Sequence, residues 1–222
     1  MAICSHTLVR NGMPFIGLVI RQVIPYVNRC LITISRQSTD GTIHAVKKLQ
    51  QQFPQTVFIE WEDVSSPAEL THERQKQVAN TFEDWILFLD DDDYWMHDEL
   101  SFIKRLCLDA DVDAYAFNPY QIIDKEYYDD SWRNKWFTKL FRNKPGLHYE
   151  KPWPRDLIYL EKKELYWRTN KRVVKSPYRY IHLPLLKGYS FREQNGFEKY
   201  KYSIGKKALL PAVISEELEK IL

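Results

Sequence analysis

Apolar runs and amphipathic stretches alternate through the first 90 residues, and this alternation restricts the fold more than any other feature of the chain. Ala2 to Val9 reads as a strand, and Phe15 to Tyr26 carries Phe15, Leu18, Val19, Val23 and Tyr26 at helical spacing. Cys30 to Ile34 is a second apolar run; S-T-D-G-T at Ser38 to Thr42, a helix-start turn, and the amphipathic stretch Ile43 to Phe53 follow it. Pro54 closes that helix. Val57 to Trp61 supplies a third strand, Ala68 to Asn80 another helix, and Trp85 to Leu89 a fourth strand. One helix between neighbouring strands predicts a mostly parallel central sheet with helices on both faces, an α/β fold. A chain of 222 residues suffices for one such domain with a real core.

The fourth strand runs into Asp90, Asp91, Asp92 and Asp93. Like charges about 4 to 7 Å apart raise one another's pKa and oppose compaction, so a fold keeps four adjacent carboxylates where a cation or ligand offsets the repulsion. Carboxylate oxygens are also what Mg²⁺ or Mn²⁺ prefer. The competing reading is a solvated acidic turn capping the next helix, continued by Asp98 and Glu99. Position decides for the first, because sheets of this type bind ligands beyond the carboxyl ends of their strands. Arg10-Asn11, Ser35 to Thr42 and Asp90 to Asp93 all fall there.

The net charge of +2 hides an asymmetry. Residues 1 to 113 hold 10 Lys+Arg against 17 Asp+Glu, a balance of −7, and residues 114 to 222 hold 22 against 13, a balance of +9. Trp132, Trp136, Phe137, Phe141, Trp153, Tyr159, Tyr166 and Trp167 are spread among those cations. A basic, aromatic-rich half suits an anionic or aromatic partner, or a surface whose Lys and Arg stems cover apolar groups. Cys4, Cys30 and Cys107 are widely spaced and form no CxxC pattern, so they read as small buried hydrophobes in a reducing compartment rather than as a zinc site. No signal peptide or window of about 20 apolar residues is present, and the expected location is cytoplasmic.

Four motifs stand in order: V-R-N-G (Val9 to Gly12), S-T-D-G-T (Ser38 to Thr42), E-R-Q-K-Q-V-A (Glu73 to Ala79) and W-I-L-F-L-D-D-D-D ending at Asp93. Together they resemble the family 2 glycosyltransferases of the GT-A fold, with their VKNE-like loop, DxGSTDGT turn, A-R-N helix start and strand ending in D-x-D. The resemblance covers roughly residues 2 to 105; K-L-F-R-N at Lys139 to Asn143 and R-Y-I-H-L at Arg179 to Leu183 look like downstream elements. It implies a single GT-A (Rossmann-like) domain over 1–222, with a nucleotide-sugar-binding half (1–105) and an acceptor-binding half (106–222).

The resemblance also implies roles. Asp90 and Asp92 fall on the D-x-D carboxylates, Asp92 as ligand to Mn²⁺ or Mg²⁺ and Asp90, with Asp91, beside the nucleotide-sugar. Arg74 would sit near the nucleotide or diphosphate, and Thr7, Val9 and Arg10 along the base and ribose, while Asp40 and Gly41 shape the turn. Ser35-Arg36 stands where the family has a base-binding aspartate, so Ser35 would accept from the base, or Arg36 would meet the base or a phosphate, UDP being the expected donor nucleotide. His182 resembles the histidine that closes the metal site, with His148 as competitor. Inverting transfer needs a carboxylate base; Asp124, Glu126, Asp129, Asp130, Glu150 and Asp156 are candidates, Asp156 favoured. The acceptor is expected to be a saccharide or glycan, or a nucleic acid bearing a hydroxymethylated base, with a protein as the third option. The alternative is a non-catalytic nucleotide- or glycan-binding module on the same fold.

Overall fold

The computed structural model describes residues 1–63, 66–152, 157–187 and 205–222. Four strands lie parallel at one side of the sheet: β1 (Ile3–Val9), β2 (Arg29–Ser35), β3 (Val57–Glu62) and β4 (Trp85–Phe88). Helices α1 (Ile16–Val23), α2 (Thr42–Gln52) and α3 (Pro67–Ala79) make the crossovers. Beyond β4 come the short β5 (Asp93–Tyr94), α4 (His97–Leu106), β6 (Ala114–Gln121), β7 (Tyr127–Asp129), β8 (Phe137–Arg142), β9 (His148–Glu150), β10 (Leu157–Leu160) and β11 (Lys163–Glu164). The long β12 (Val173–His182), β13 (Lys207–Leu209) and α5 (Ala212–Ile221) complete the described elements.

The main sheet has eight strands in the order β3-β2-β1-β4-β8-β6-β12-β5. The front-half elements fall where the alternation of the sequence puts them. The Phe15 to Tyr26 stretch changes character at Ile24, where Ile24–Tyr26 tightens into a 3₁₀ turn around Pro25, which has no N–H to continue an α-helix. Helix α3 starts on a capping arrangement: the Ser66 side chain accepts from Glu69 N–H at 3.2 Å, with Pro67 in the first turn.

Successive residues of the central strands go to opposite faces. Trp85, Leu87, Leu89, Tyr115, Phe117 and Leu140 join the core shared with α1, α2, α4 and α5. Ile86, Phe88, Ala114, Ala116 and Phe141 join a second core with Val78 of α3 and with Leu160 and Leu165 of the small β9–β11 layer. This explains why Trp85–Phe88 is apolar throughout rather than alternating: both of its faces are covered. Cys4, Cys30 and Cys107 are buried and unpaired, and burial pushes their thiols up to about 12, 11 and 12. They behave as the small hydrophobes their spacing predicts. No helix among the described residues is long and apolar enough to cross a membrane.

Candidate active site

The acidic run forms a turn that closes on itself. Asp93 N–H donates to the Asp90 carbonyl at 3.1 Å, and Asp90 N–H donates to Asp93 Oδ2 at 3.2 Å. The chain then returns as β5, antiparallel to the end of β12, with Asp93 opposite His182, and Leu183 N–H donates to the Asp92 carbonyl at 2.9 Å. This pairing brings His182 Nε2 to 3.6 Å from Asp92 Oδ1. Asp92, Asp93 and His182 each offer a ligand atom, all within 4.8 Å of one another. Strand β6 runs parallel to β12 with Gln121 in register with His182, and Gln121 Oε1 lies 2.6 Å from His182 Nδ1. With the amide oxygen toward the ring, Nδ1 carries the proton and Nε2 turns its lone pair toward Asp92.

A cation from the chain itself sits inside the turn. The register Leu87 to Leu140 between β4 and β8 carries Lys139 to the end of β4. Its Nζ donates to Asp90 Oδ2 at 2.7 Å and to Asp93 Oδ2 at 2.5 Å. Burial opposes the ammonium charge, but the two carboxylates hold its pKa well above the ordinary lysine value. Burial pushes Asp93 up to about 6 against the pull of Lys139. Burial also acts to raise Asp90, yet Lys139 and Arg74 hold it below the usual carboxylate range. So Lys139 relieves part of the repulsion within the acidic run, through Asp90 and Asp93, a contribution from the chain itself beside the bound cation or ligand that the run suggests.

The donor set still fits a divalent ion. Asp93 is fully buried and its Oδ1 has no hydrogen-bond partner among the described residues. A buried carboxylate oxygen without a partner, grouped with a second carboxylate and an imidazole, matches the oxygen and nitrogen ligands of Mn²⁺, and its carboxylates those of Mg²⁺.

The neighbouring loops close around this turn. Gly12 packs so tightly that a Cβ there would stand 2.7 Å from Asp91 Oδ2 and 2.5 Å from Val9 Cγ2. Gly12 N–H donates to Thr42 Oγ1 at 2.7 Å, Met13 N–H to Asp40 Oδ2 at 2.9 Å, and Thr39 N–H to Asn11 Oδ1 at 2.8 Å. The V-R-N-G and S-T-D-G-T motifs are thus one laced unit beside Asp91, and Asp40 shapes the turn, its other oxygen accepting from Thr42 N–H at 2.9 Å. Arg74 lies 3.8 Å from Asp90 Oδ1, its guanidinium 4.4 Å from the Phe88 ring centroid.

Other expected site residues are placed as follows. Thr7 and Val9 are buried in β1, the Thr7 carbonyl accepting from Gln77 Nε2 at 2.9 Å. Arg10 is half-buried in the loop after β1. Ser35 is buried at the end of β2, its hydroxyl accepting from Gln37 N–H at 3.2 Å, and Arg36 is exposed. His148 lies in β9 and pairs with Glu150 at 3.1 Å, apart from the Asp92 group. Among the carboxylates weighed as base, Asp129 accepts from Ser131, Gly205 and Lys206 N–H groups at 2.9 to 3.1 Å, a loop staple. Asp124 accepts from Glu126 and Tyr127 N–H, both at 2.9 Å; Asp130 accepts from the Tyr128 hydroxyl at 3.1 Å; the Glu126 side chain is exposed. Asp156 lies outside the described residues.

Read from the sequence alone, Lys139 and Gln121 carry no role, and Asp93 is only one of the four carboxylates of the acidic run. The available signal was a lysine flanked by Phe137, Leu140 and Phe141 in a strand, but only its pairing with β4 shows that it is enclosed.

Residues 15–158 match the sequence model described as glycosyl transferase family 2. The chain belongs to that family. No curated protein matches it by sequence. Among solved structures, TarS of S. aureus in a form covering its residues 1–349 is 14% identical with a TM-score of 0.55, over 82% of this chain and 60% of that one. Another structure of S. aureus TarS is 15% identical with a TM-score of 0.52, over 89% and 38%. The mannosyltransferase PcManGT from Pyrobaculum calidifontis, in complex with GDP-Man and Mn²⁺, is 19% identical with a TM-score of 0.44, over 52% and 34%. The family 2 chain thus spans less than two thirds of each, and with TarS it shares the fold.

Proposed function

We infer that this family 2 chain is a metal-dependent glycosyltransferase that moves a sugar from a nucleotide-sugar to an acceptor hydroxyl with inversion. The observation that carries the reading is the grouping of Asp92, Asp93 and His182 within 4.8 Å of one another at the carboxyl end of β4. A divalent cation, Mn²⁺ or Mg²⁺, would be held there and would supply positive charge against that developing on the departing nucleoside diphosphate. Arg74, with Asp90 beside it, adds a guanidinium suited to phosphate oxygens at the same mouth. Arg10, Ser35 and Arg36 would line the base and ribose, and Asp156 would take the acceptor proton.

The acceptor reading rests on the back half. Lys175 Nζ stands 3.7 Å from the Trp167 ring centroid and 4.9 Å from that of Trp136, and Phe137 stacks on Trp132 with centroids 5.8 Å apart. Aromatic faces with cations suit a saccharide carrying acidic or phosphate groups, and equally a hydroxymethylated base in DNA. Salt separates DNA from an uncharged glycan, since log affinity for DNA would fall steeply with log salt; an acidic saccharide shares that dependence and is told from DNA by which of the two accepts the sugar.

A thermal-shift panel tests the reading, because a ligand that binds the native state raises its melting temperature by mass action. UDP-, GDP-, CDP- and TDP-sugars are compared with and without Mn²⁺. A Mn²⁺-dependent shift with one nucleotide is expected, UDP first. No shift with any, alone or with candidate acceptors present to complete the donor site, would overturn the donor reading in favour of a non-catalytic module, a reading motivated by Ser35-Arg36 standing in place of a base-binding aspartate.

A further inference from the structure

Lys139 is 4% exposed, a rare place for an ammonium unless carboxylates repay the desolvation. Its Nζ donates to one oxygen of Asp90 and one of Asp93, and it also lies 4.8 Å from the Phe88 ring centroid and 5.2 Å from that of Tyr180. On Asp93 the oxygen it occupies is Oδ2, which also accepts the Asp90 backbone N–H. That leaves Oδ1 of a fully buried carboxylate without a partner among the described residues. Asp92 meanwhile faces His182. The lysine thus divides the four aspartates, engaging Asp90 and half of Asp93.

We propose that Lys139 is a positioning residue for the cation site: by holding one oxygen each of Asp90 and Asp93, it confines a divalent ion to Asp92, the other oxygen of Asp93 and His182. The proposal rests on the metal-dependent reading above. Its first consequence is electrostatic. A resident positive charge beside the site opposes a second one, so the divalent affinity is set lower than the acidic run alone would give. Its second is geometric: without Lys139, Asp90 is released as a competing ligand, and an ion binds more tightly in a less productive place. A lysine that only braced the turn would share the electrostatic effect but not the release of Asp90, and its loss would loosen the turn and offset any gain in metal binding.

The test is a Mn²⁺ titration of the full chain without nucleotide, with free Mn²⁺ read by electron paramagnetic resonance, on wild type, Lys139→Gln and Lys139→Arg. Glutamine keeps hydrogen-bond donors without charge, and arginine keeps the charge. The expected result is Mn²⁺ binding at least about fivefold tighter in Lys139→Gln and near the wild-type value in Lys139→Arg. A folded Lys139→Gln with a smaller gain, no change or weaker binding overturns the proposal. If Lys139→Gln does not fold, Asp90→Asn reads the same arrangement. A loss of less than about fivefold in Mn²⁺ affinity is expected, because Lys139 holds Asp90 off the ion, and a larger loss overturns it. Absence of Mn²⁺ binding by the wild-type chain would instead overturn the metal-dependent reading itself.

Discussion

Nδ1 of His182 lies 2.6 Å from Oε1 of Gln121, on the neighbouring parallel strand and in register with it. With the amide oxygen toward the ring, this contact selects the Nδ1–H tautomer and leaves Nε2 toward Asp92, the arrangement by which outer groups orient metal-binding histidines. Gln121 is itself buried, so its oxygen has little freedom to leave the ring. Gln121→Leu keeps the volume and removes the acceptor. We expect a roughly 10- to 100-fold loss in Mn²⁺ affinity with the fold retained, measured by titration. An unchanged affinity would remove Gln121 from the site.

Asp92→Ala separates metal binding from folding. Asp92 is half-buried between acidic neighbours, and its removal relieves like-charge repulsion in the turn. Divalent-dependent nucleotide-sugar binding and transfer are expected to disappear while the melting temperature stays level or rises slightly. Transfer at the wild-type rate in this variant would show that the metal role is misplaced.

Gly12→Ala tests the packing that seats the first loop against the aspartates. The new methyl would stand 2.5 Å from Val9 Cγ2, 2.7 Å from Asp91 Oδ2 and 3.0 Å from Ile16 Cβ, a site closed on three sides. Overpacking of this kind costs about 1 to 3 kcal/mol, read as a lower midpoint in urea. Because one displaced atom belongs to Asp91, nucleotide-sugar affinity should fall as well, whereas a variant as stable and active as wild type would show that the loop yields at no cost.

The front half of the fold was legible because its signals are local. The apolar runs that became β1 to β4 and the turn before α2 can be read within a dozen residues, although α2 starts on Gly41 without a side-chain cap, and the strand ends then name Asp90 to Asp93 as the candidate ligand edge. The other half of the site depends on distant pairings. Strand β8 inserts antiparallel between β4 and β6, and nothing in the spacing of F-T-K-L-F-R says that it lies beside W-I-L-F. Lys139 therefore reads as an exposed strand lysine until that register is known. Gln121 is similar: a polar residue closing an eight-residue strand gives no sign of its partner 61 positions away. His182 was within reach only through resemblance, and it is the β5–β12 pairing that carries it beside Asp92.

Glu99 gives the fold a pH dependence that is independent of the site. It is buried in the first turn of α4, with Oε2 lacking a hydrogen-bond partner among the described residues. Burial pushes its carboxyl up to about 7, with Asp98 and Glu217 adding repulsion and backbone N–H groups at the helix start pulling the other way. An acid whose pKa is higher folded than unfolded makes the native state hold the extra proton between about pH 4.5 and 7. Stability from this group is therefore fully present below about pH 4.5 and is lost as the pH rises through 7. Glu99→Gln mimics the protonated form at every pH, so it should be more stable than wild type at pH 8, by on the order of 2 kcal/mol, and nearly equal to it at pH 4.5. Urea unfolding of both proteins at the two pH values checks this. A Glu99→Gln profile parallel to that of wild type would show that Glu99 stays charged in the folded protein, with water or a main-chain donor reaching Oε2.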